Sequence, residues 1–273
     1  MFSGHEPSVM GVLNVTPDSF YDGGRFRRRD RALAQARKLV ADGARIIDVG
    51  GESSRPGAEP VSLQEELDRV IPVIEDIASD MDVMISVDTY KPLVMREAVA
   101  AGAGMINDIY ALQAPEALAT AARLGVPVCL MHMRGQPQTM QDQPQYDNVV
   151  EEVLAFLQAR VQRCCEHGLT RERLLIDPGI GFGKTVAHNL SLLRHLRRFV
   201  DTGVPVLVGV SRKSLLGKIT GRQVDQRLAG SVALAGWAAF QGVAVVRAHD
   251  VAETVDALRV MTALRDAAQP APE

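Results

Sequence analysis

Charged, amide and hydroxyl side chains recur at one kind of place in this sequence. They stand at or close to the C-terminal ends of short apolar runs that are rich in Val, Ile, Leu and Met. These residues are Asn14, Asp48, Asp88, Asn107, Asp108, His132, Asp177, Ser211, Arg212, Lys213, Arg247, His249 and Asp250. Burying a charge that serves no purpose costs several kcal/mol. Runs that each deliver such a group at the same end therefore indicate a functional site.

Part of this set has the chemistry needed to bind a planar heterocycle. Carboxylates, an amide and a cation can pair with a row of ring donors and acceptors. These residues are Asp88, Asn107, Asp177 and Lys213. The glycine-rich stretch 179–183 lets backbone come close to a ligand, although it lacks the spacing of a P-loop.

A second group combines cations with an amide and a hydroxyl, which suits a phosphate or a diphosphate bridged by Mg²⁺. It consists of Asn14, Ser54, Arg55, Arg247 and His249. Three other polar residues have simpler interpretations. His132 lies in an apolar run and is expected to be a hydrogen-bonded core histidine. Asp48 and Glu52 are either supports for the loop that carries Arg55 or direct ligands.

The elements that must position these residues alternate along the chain. The near-continuously apolar runs are typical of strands buried on both faces of a parallel sheet. They are Val9–Val15, Arg45–Val49, Val83–Val87, Met105–Ile109, Val126–Met131, Leu174–Ile176, Val204–Val210 and Val243–Val246. A helical pattern follows each run. The repeated unit predicts an α/β fold, a (β/α)8 TIM barrel in a single domain, with a doubly wound open sheet as the alternative.

The helical patterns and the loops between them are equally regular. The predicted helices are Asp30–Ala41, Ser62–Ile77, Pro92–Ala101, Pro115–Leu124, Val149–His167, Leu190–Val200, Gln226–Phe240 and Ala252–Leu264. Connections from strand to helix are the long ones, such as 16–29, 50–61 and 133–147, and in a barrel they lie at the active-site face. We expect one domain over 1–273, with its core at about 9–264 and a frayed tail at 267–273.

The composition is that of an ordinary globular protein. The chain has 273 residues, 47% apolar and 23% charged, with a net charge of −3, which argues against a general nucleic-acid or anionic-membrane binder. Cys129, Cys164 and Cys165 form neither a disulfide framework nor a zinc-binding pair, and this favours a reducing, cytoplasmic setting. Neither a secretory signal pattern nor an apolar run long enough to span a membrane is apparent.

Several segments resemble the signatures of one enzyme family. Residues 14–24, NVTPDSFYDGG, resemble the first signature of the dihydropteroate synthases, and residues 48–57, DVGGESSRPG, resemble the second. Further matching segments follow in the family's order: Ser86–Thr89, Ile106–Ile109, Leu130–Met133, Asp177–Lys184, Ser211–Ser214 and Arg247–Asp250. The resemblance covers about residues 9–264, nearly the whole chain.

The resemblance implies an activity. The family joins 6-hydroxymethyl-7,8-dihydropterin diphosphate to p-aminobenzoate, which yields 7,8-dihydropteroate for folate biosynthesis and releases diphosphate. It is the target of sulfonamides. A barrel, a Mg²⁺ requirement and a homodimer are also implied, with small molecules rather than nucleic acid or membrane as partners. We expect an SN1-like step in which a pterin methylene cation forms without a covalent enzyme intermediate.

The resemblance also assigns roles to single residues. The pterin ring is assigned to Asp88, Asn107, Met131, Asp177, Phe182, Arg212 and Lys213. The diphosphate is assigned to Asn14, Ser54, Arg55, Arg247 and His249, with Asn14 near the metal. The p-aminobenzoate pocket is assigned to Phe20, Arg55, Pro56, Ser211 and Arg212. The catalytic roles are assigned to Asp88, Lys213, Arg247 and His249.

Three positions depart from the family's common pattern, and two other functions stay open. Tyr21, Tyr90 and Ala248 replace residues that are usually different, but none of these changes removes an assigned ligand group. A pterin-binding methyltransferase domain would share the ring-binding residues without needing the cations of the diphosphate group. A non-catalytic relative that binds pterin would keep every residue and turn nothing over.

Overall fold

The computed structural model describes residues 2, 6–16, 25–53, 57–136 and 139–267, with backbone alone at 25–28. Its strands are β1 (Ser8–Asn14), β2 (Ile46–Gly50), β3 (Met84–Asp88), β4 (Met105–Asp108), β5 (Val128–Met131), β6 (Leu174–Asp177), β7 (Leu207–Gly209) and β8 (Val245–Ala248). Its α-helices are α1 (Arg25–Ala41), α2 (Leu63–Asp80), α3 (Pro92–Ala100), α4 (Ala117–Leu124), α5 (Val149–Glu166), α6 (Val186–Arg194), α7 (Leu196–Val200), α8 (Ser214–Thr220), α9 (Leu228–Gln241) and α10 (Val251–Ala267).

The strands form one parallel sheet that closes on itself. Their order is β6-β5-β4-β3-β2-β1-β8-β7, so neighbours in sequence are neighbours in space, with β8 beside β1. The two ends of this order meet at a bridge between Ile176 and Val206, where Ile176 N donates to Pro205 O at 3.0 Å. The predicted (β/α)8 barrel is therefore confirmed, and the open sheet is excluded.

The interior of the barrel is layered, because successive side chains of a strand point to opposite faces. Its first layer is apolar and consists of Phe2, Met10, Ile46, Met105, Cys129, Leu175, Leu207 and Val245. Cys129 is therefore a core residue, as predicted. Two positions further along the strands, on the same face, stand Asp48, Asn107, Asp177 and Arg247. The period of the strands thus brings these four polar residues into one layer.

The outer faces of the strands pack against the helices, and α2 shows how the sequence builds this layer. The helix begins after Ser62, whose Oγ accepts from Glu65 N at 3.2 Å and so caps the first turn. Val70, Ile74 and Ile77 repeat at helical spacing and are completely buried against the sheet. Such apolar stripes hold the ring of helices around the barrel.

Some element boundaries were predicted wrongly. The predicted helix 190–200 is two helices, α6 and α7, that meet at His195. The predicted helix 115–124 begins only at Ala117, because Glu116 has a left-handed φ of 64°. Helix α8 was missed. Ala267 ends α10 rather than starting a frayed tail, in line with the high helix propensity of alanine, and residues 268–273 lie outside the described residues.

None of the helices in the described part of the chain is long and apolar enough to cross a membrane.

Candidate active site

The polar layer lies at the C-terminal ends of the strands, where barrel enzymes hold their substrates. Arg247 on β8 lies between two carboxylates. Its Nε donates to Asp48 Oδ2 at 2.6 Å, and its Nη2 donates to Asp88 Oδ2 at 2.9 Å. Burial by itself would lower the pKa of Arg247, but Asp48 and Asp88 raise that pKa above its ordinary value. The guanidinium is therefore a fixed positive charge in the mouth of the barrel.

Asp48 orients two of the predicted site residues. This fully buried carboxylate accepts from Asn107 Nδ2 at 3.1 Å through the same Oδ2 that accepts from Arg247. The support role left open for Asp48 is therefore present. Its Oδ1 is buried and makes no hydrogen bond to the described protein atoms, so this oxygen can still accept from a ligand.

Asp88 lies at the end of β3, and this site strongly alters its ionisation. Burial and the neighbouring Asp48 carboxylate raise the pKa of Asp88 to about 7, against the opposing effect of Arg247. The strand register places Asp88 beside Asn107 on β4 and Gly50 on β2. A carboxyl group that is part-ionised near neutral pH responds strongly to any charge that develops on a ligand.

The opposite side of the mouth is formed by β5, β6 and the segment after β7. Asp177 Oδ1 accepts from Gly179 N at 2.7 Å, and burial raises the pKa of Asp177. Lys213 Nζ lies 4.2 Å from the ring centroid of Phe182. Burial lowers the pKa of Lys213 to about 8, although Asp177 opposes this effect. Met131 is buried and pairs with Asp177 in the register, so these predicted ring-binding residues do lie together.

Ser211, Arg212 and His249 form the third group, after β7 and β8. Ser211 Oγ lies 3.0 Å from His249 Nδ1 and accepts from His249 N at 3.2 Å. Burial, followed by the charges of Arg247 and Arg212, lowers the pKa of His249 to about 4. His249 therefore contributes a neutral imidazole, not a second cation, in the substrate-free protein. Arg212, at a left-handed φ of 56°, donates through Nε to Asp250 Oδ2 at 3.0 Å.

Asn14 ends β1, and in the strand register Gly50 of β2 lies between Asn14 and Asp88 of β3. A Cβ built on Gly50 would lie 3.7 Å from Asp88 Oδ2 and 3.8 Å from Asn14 Oδ1, so these two oxygens flank the end of β2. Across the described ranges, no group of three His, Cys, Asp or Glu residues could hold a metal ion by itself. One amide oxygen with a carboxylate nearby nevertheless fits Mg²⁺, which is usually held by few protein oxygens together with substrate phosphates and water.

Some predicted residues do not lie in the described part of the chain, whereas two of the three departures from the family pattern do. Phe20, Tyr21, Ser54, Arg55 and Pro56 lie outside the described residues. The hydroxyl of Tyr90 donates to Glu52 Oε1 at 3.2 Å, and its ring packs edge-on against Tyr110 with centroids 4.7 Å apart. Ala248 is buried in β8. The Tyr90 departure therefore adds a contact at the mouth of the barrel.

Sequence reasoning missed the roles of three charged residues near the mouth, of which Glu66 and Lys184 are buried and Lys91 is half-buried. Lys91 Nζ donates to Glu52 Oε2 at 2.5 Å and Glu66 Oε2 at 2.6 Å. Lys184 Nζ lies 3.0 Å from Nδ1 of His132, which is the buried, hydrogen-bonded core histidine that the sequence predicted. Lys184 directly follows the glycine-rich stretch 179–183, and this position could have identified it from the sequence. Glu66 stands in a predicted helix and Lys91 directly precedes one, at places where charged residues are ordinarily solvated.

Comparison with known proteins shows what the chain resembles. Residues 10–249 match the family described as pterin binding enzyme. The dihydropteroate synthase of Haemophilus influenzae is 53% identical over 261 residues, which are 96% of this chain and 95% of that protein. The chain belongs to the dihydropteroate synthase family. It is accordingly a transferase of folate biosynthesis, as the sequence motifs predicted.

Solved structures of dihydropteroate synthases have the same fold. The Yersinia pestis enzyme in complex with a sulfonamide drug is 51% identical with a TM-score of 0.91, and the match covers 96% of this chain and 95% of that one. The Xanthomonas albilineans enzyme with 4-aminobenzoic acid is 53% identical with a TM-score of 0.91, covering 97% of this chain and 94% of that one. These similarities favour a dihydropteroate synthase over the methyltransferase alternative.

Proposed function

We propose that this barrel mouth condenses 6-hydroxymethyl-7,8-dihydropterin diphosphate with p-aminobenzoate. The observation that carries the proposal is Arg247, which lies between Asp48 and Asp88 in the same layer as Asn107 and Asp177. This layer joins hydrogen-bonding groups for a flat ring to a permanent cation. Both kinds of group are needed to bind a substrate in which a ring methylene is bonded to a diphosphate that leaves.

The ring-binding half of the site is proposed to be selective for a pterin. Asp177 supplies a carboxylate acceptor for ring N–H groups, and Asn107 supplies an amide beside it. Lys213 supplies a donor beside the Phe182 ring, where burial has already removed its hydration and lowered its pKa to about 8. Met131 and Phe182 supply apolar surface. A small set of fixed polar groups in an otherwise apolar pocket is how proteins orient such ligands.

The diphosphate is proposed to lie against Arg247 and His249, with the side chains of Ser54 and Arg55. Arg247 is already oriented by two carboxylates, so little ordering is needed when the anion binds. Asn14 would hold Mg²⁺ together with the diphosphate, and the metal would offset the negative charge of the leaving group.

The bond between the pterin methylene and the diphosphate oxygen is proposed to break first. Its electron pair leaves with the diphosphate, and Arg247 stabilises the charge that gathers there. The methylene cation is conjugated with the ring and lies near the carboxylate of Asp88. The amine of p-aminobenzoate then forms the C–N bond with its lone pair and releases one proton to water. No covalent enzyme intermediate is required.

The second substrate is proposed to bind beside Ser211 and Arg212, next to Phe20, Arg55 and Pro56 of the two strand-to-helix connections. The presence of 4-aminobenzoic acid in the Xanthomonas albilineans relative supports this choice of substrate. Arg212 is oriented by Asp250 near His249, on the β7–β8 side of the mouth.

We also propose that the protein is a homodimer in the cytoplasm. Large apolar side chains are exposed on α6, α8 and α9 and beside them, and such a patch usually marks a protein interface. They include Leu190, Ile219, Val224, Leu228, Trp237 and Phe240. Three free cysteines are compatible with a reducing compartment. Light scattering on wild type and Ile219→Glu tests the dimer, and a monomeric wild type would contradict it.

Release of diphosphate from the pterin substrate tests the reaction. With Mg²⁺ and p-aminobenzoate, wild type should yield diphosphate and dihydropteroate, detected by mass, and EDTA should abolish both. Arg247→Met should lower kcat/KM at least about a hundredfold, as removal of a preorganised charge donor does elsewhere, and should keep affinity for the bare pterin. Arg259→Met, on the exposed face of α10, is the control. Pterin binding without turnover in wild type would instead indicate a non-catalytic relative.

A further inference from the structure

Lys184 is a buried lysine that the proposed reaction does not use. It follows the glycine-rich segment after β6 and is only 3% exposed. Its Nζ donates to Phe182 O at 2.9 Å, to Gly179 O at 3.0 Å and to His132 O at 3.3 Å. Nδ1 of His132 lies 3.0 Å away. All these partners are neutral, since burial and the nearby Lys184 charge lower the pKa of His132 to about 3.

The glycines around Lys184 are closely packed against the neighbouring backbone. Gly179 has a φ of 67°, and a Cβ there would lie 1.9 Å from His132 O. Gly183 has a φ of 62°, and a Cβ there would lie 2.4 Å from Arg134 O. The segment after β6 is thus pressed against the segment after β5. Lys184 donates at buried positions to Gly179 O and His132 O, and a donor lowers the cost of burying a carbonyl.

The same peptides position two ring-binding residues. Gly179, whose carbonyl accepts from Lys184, donates its own N–H to Asp177 Oδ1 at 2.7 Å. Phe182, whose carbonyl also accepts from Lys184, places its ring 4.2 Å from Lys213 Nζ. Phe182 N closes the 179–182 turn by donating to Gly179 O at 3.1 Å, and the Lys184 amino group adds a donor to the carbonyls at both ends of the turn. Each end leads to a group at the mouth of the barrel.

We propose that Lys184 is a positioning residue for pterin binding, which holds the 179–182 turn so that Asp177 and Phe182 are preorganised for the ring. This inference rests on the proposed function. Lys184 itself does not touch the substrate. Its removal should therefore weaken pterin binding more than it affects the use of the second substrate.

Two substitutions separate this role from a purely structural one. Lys184→Met keeps the length of the side chain and removes all its donors, whereas Lys184→Gln restores an amide that can donate twice. Calorimetry with 6-hydroxymethylpterin should give a dissociation constant at least tenfold higher for Lys184→Met and an intermediate value for Lys184→Gln. At saturating pterin diphosphate, the KM for p-aminobenzoate should change less than threefold.

Leu258→Ala is the matched control. Leu258 is 1% exposed on α10 and belongs to the outer core, so this change should destabilise the fold and leave the pterin dissociation constant unchanged. Folded Lys184 variants with wild-type affinity would overturn the positioning role. So would variants that fail to fold with either substitution, because the residue would then serve folding alone. Absence of pterin binding in wild type would instead reject the proposed function.

Discussion

Lys91 and Lys184 lie near the mouth of the barrel and differ in both burial and acceptors, since Lys91 is half-buried and Lys184 is buried. These differences set their charge states. Lys91 donates to Glu52, Glu66 and Val61 O at 2.5, 2.6 and 2.6 Å. Burial by itself would lower the pKa of Lys91, but the two glutamates raise it above its ordinary value. Lys184 donates to neutral acceptors, and burial lowers its pKa to about 7, although Asp177 opposes this. Carboxylates replace the lost hydration of an ammonium group more fully than carbonyls do.

The two lysines also join different parts of the mouth. Lys91 connects both ends of the β2–α2 connection, since Glu52 follows β2 and Val61 precedes α2. Lys184 connects the ends of β5 and β6. The first is an ionic link that depends on a permanent charge. The second is a hydrogen-bonded link that tolerates loss of a proton, because a neutral amine keeps two N–H donors.

Removal of Lys91 should have the largest effect on stability. Lys91→Met leaves Glu66, which is 1% exposed, as a buried carboxylate without its cation. We expect a loss of about 3–5 kcal/mol in the free energy of unfolding, measured by urea titration. The double variant Lys91→Met/Glu66→Leu should recover part of that loss. Lys38→Met, which breaks an exposed pair with Asp42, should change stability far less, because solvent screens such a pair. Equal losses in both single variants would contradict the ionic link.

Removal of Lys184 should cost less and should change the pH dependence of stability. Lys184→Met removes the donor to Phe182 O and His132 O, at a cost of about 1–3 kcal/mol, whereas Gly179 O keeps the donor Phe182 N. In wild type the unfolded chain binds the Lys184 proton up to pH ~10.4, but the folded protein loses that proton near pH 7. This residue therefore makes the free energy of unfolding rise from about pH 7 to about pH 10. Urea titrations across this range should show a flatter profile for the variant. Parallel profiles would show that Lys184 keeps an ordinary pKa.

The pKa of Asp88 depends on burial and nearby charges, as the pKa values of the two lysines do. Carbon NMR of the side-chain carboxyl signals, assigned with Asp88→Asn, should report a pKa of about 7 in the substrate-free protein. Arg247→Met should raise this pKa further, because the guanidinium favours the ionised carboxylate. The raised pKa also means that Asp88 reduces folding stability as pH rises from about 4 to about 7. An unchanged pKa in Arg247→Met would argue against direct coupling of the two groups.

Tyr90→Phe should have the smallest effect. The change removes the hydroxyl that donates to Glu52 and keeps the ring contact with Tyr110. We expect a loss of about 1 kcal/mol in the free energy of unfolding, the usual net value of one hydrogen bond. In the Lys91→Met background the loss should differ, since both residues contact Glu52. Strict additivity would mean that the two contacts act independently.

The barrel and the polar residues at its strand ends could be predicted from sequence patterns alone. Alternating apolar runs and helical patterns are satisfied by a closed parallel barrel, and this topology aligns all strand ends at one face. A polar residue two positions after an interior apolar residue must then lie in the next layer of the barrel, as Asp48, Asn107, Asp177 and Arg247 do. This is why residues chosen only by their place at strand ends are found together.

Only the tertiary structure decided which charges are paired and which groups titrate near neutral pH. Arg247 reaches Asp48 and Asp88 across separations of 199 and 159 residues, which depend on barrel closure and register. The residues next to Lys91 and Lys184 in the sequence do not show that the two lysines differ in charge state. Each lysine has a partner on a distant element, Glu66 on α2 for Lys91 and His132 after β5 for Lys184. The pKa of a buried group depends on its desolvation and on these partners, and neither is encoded locally.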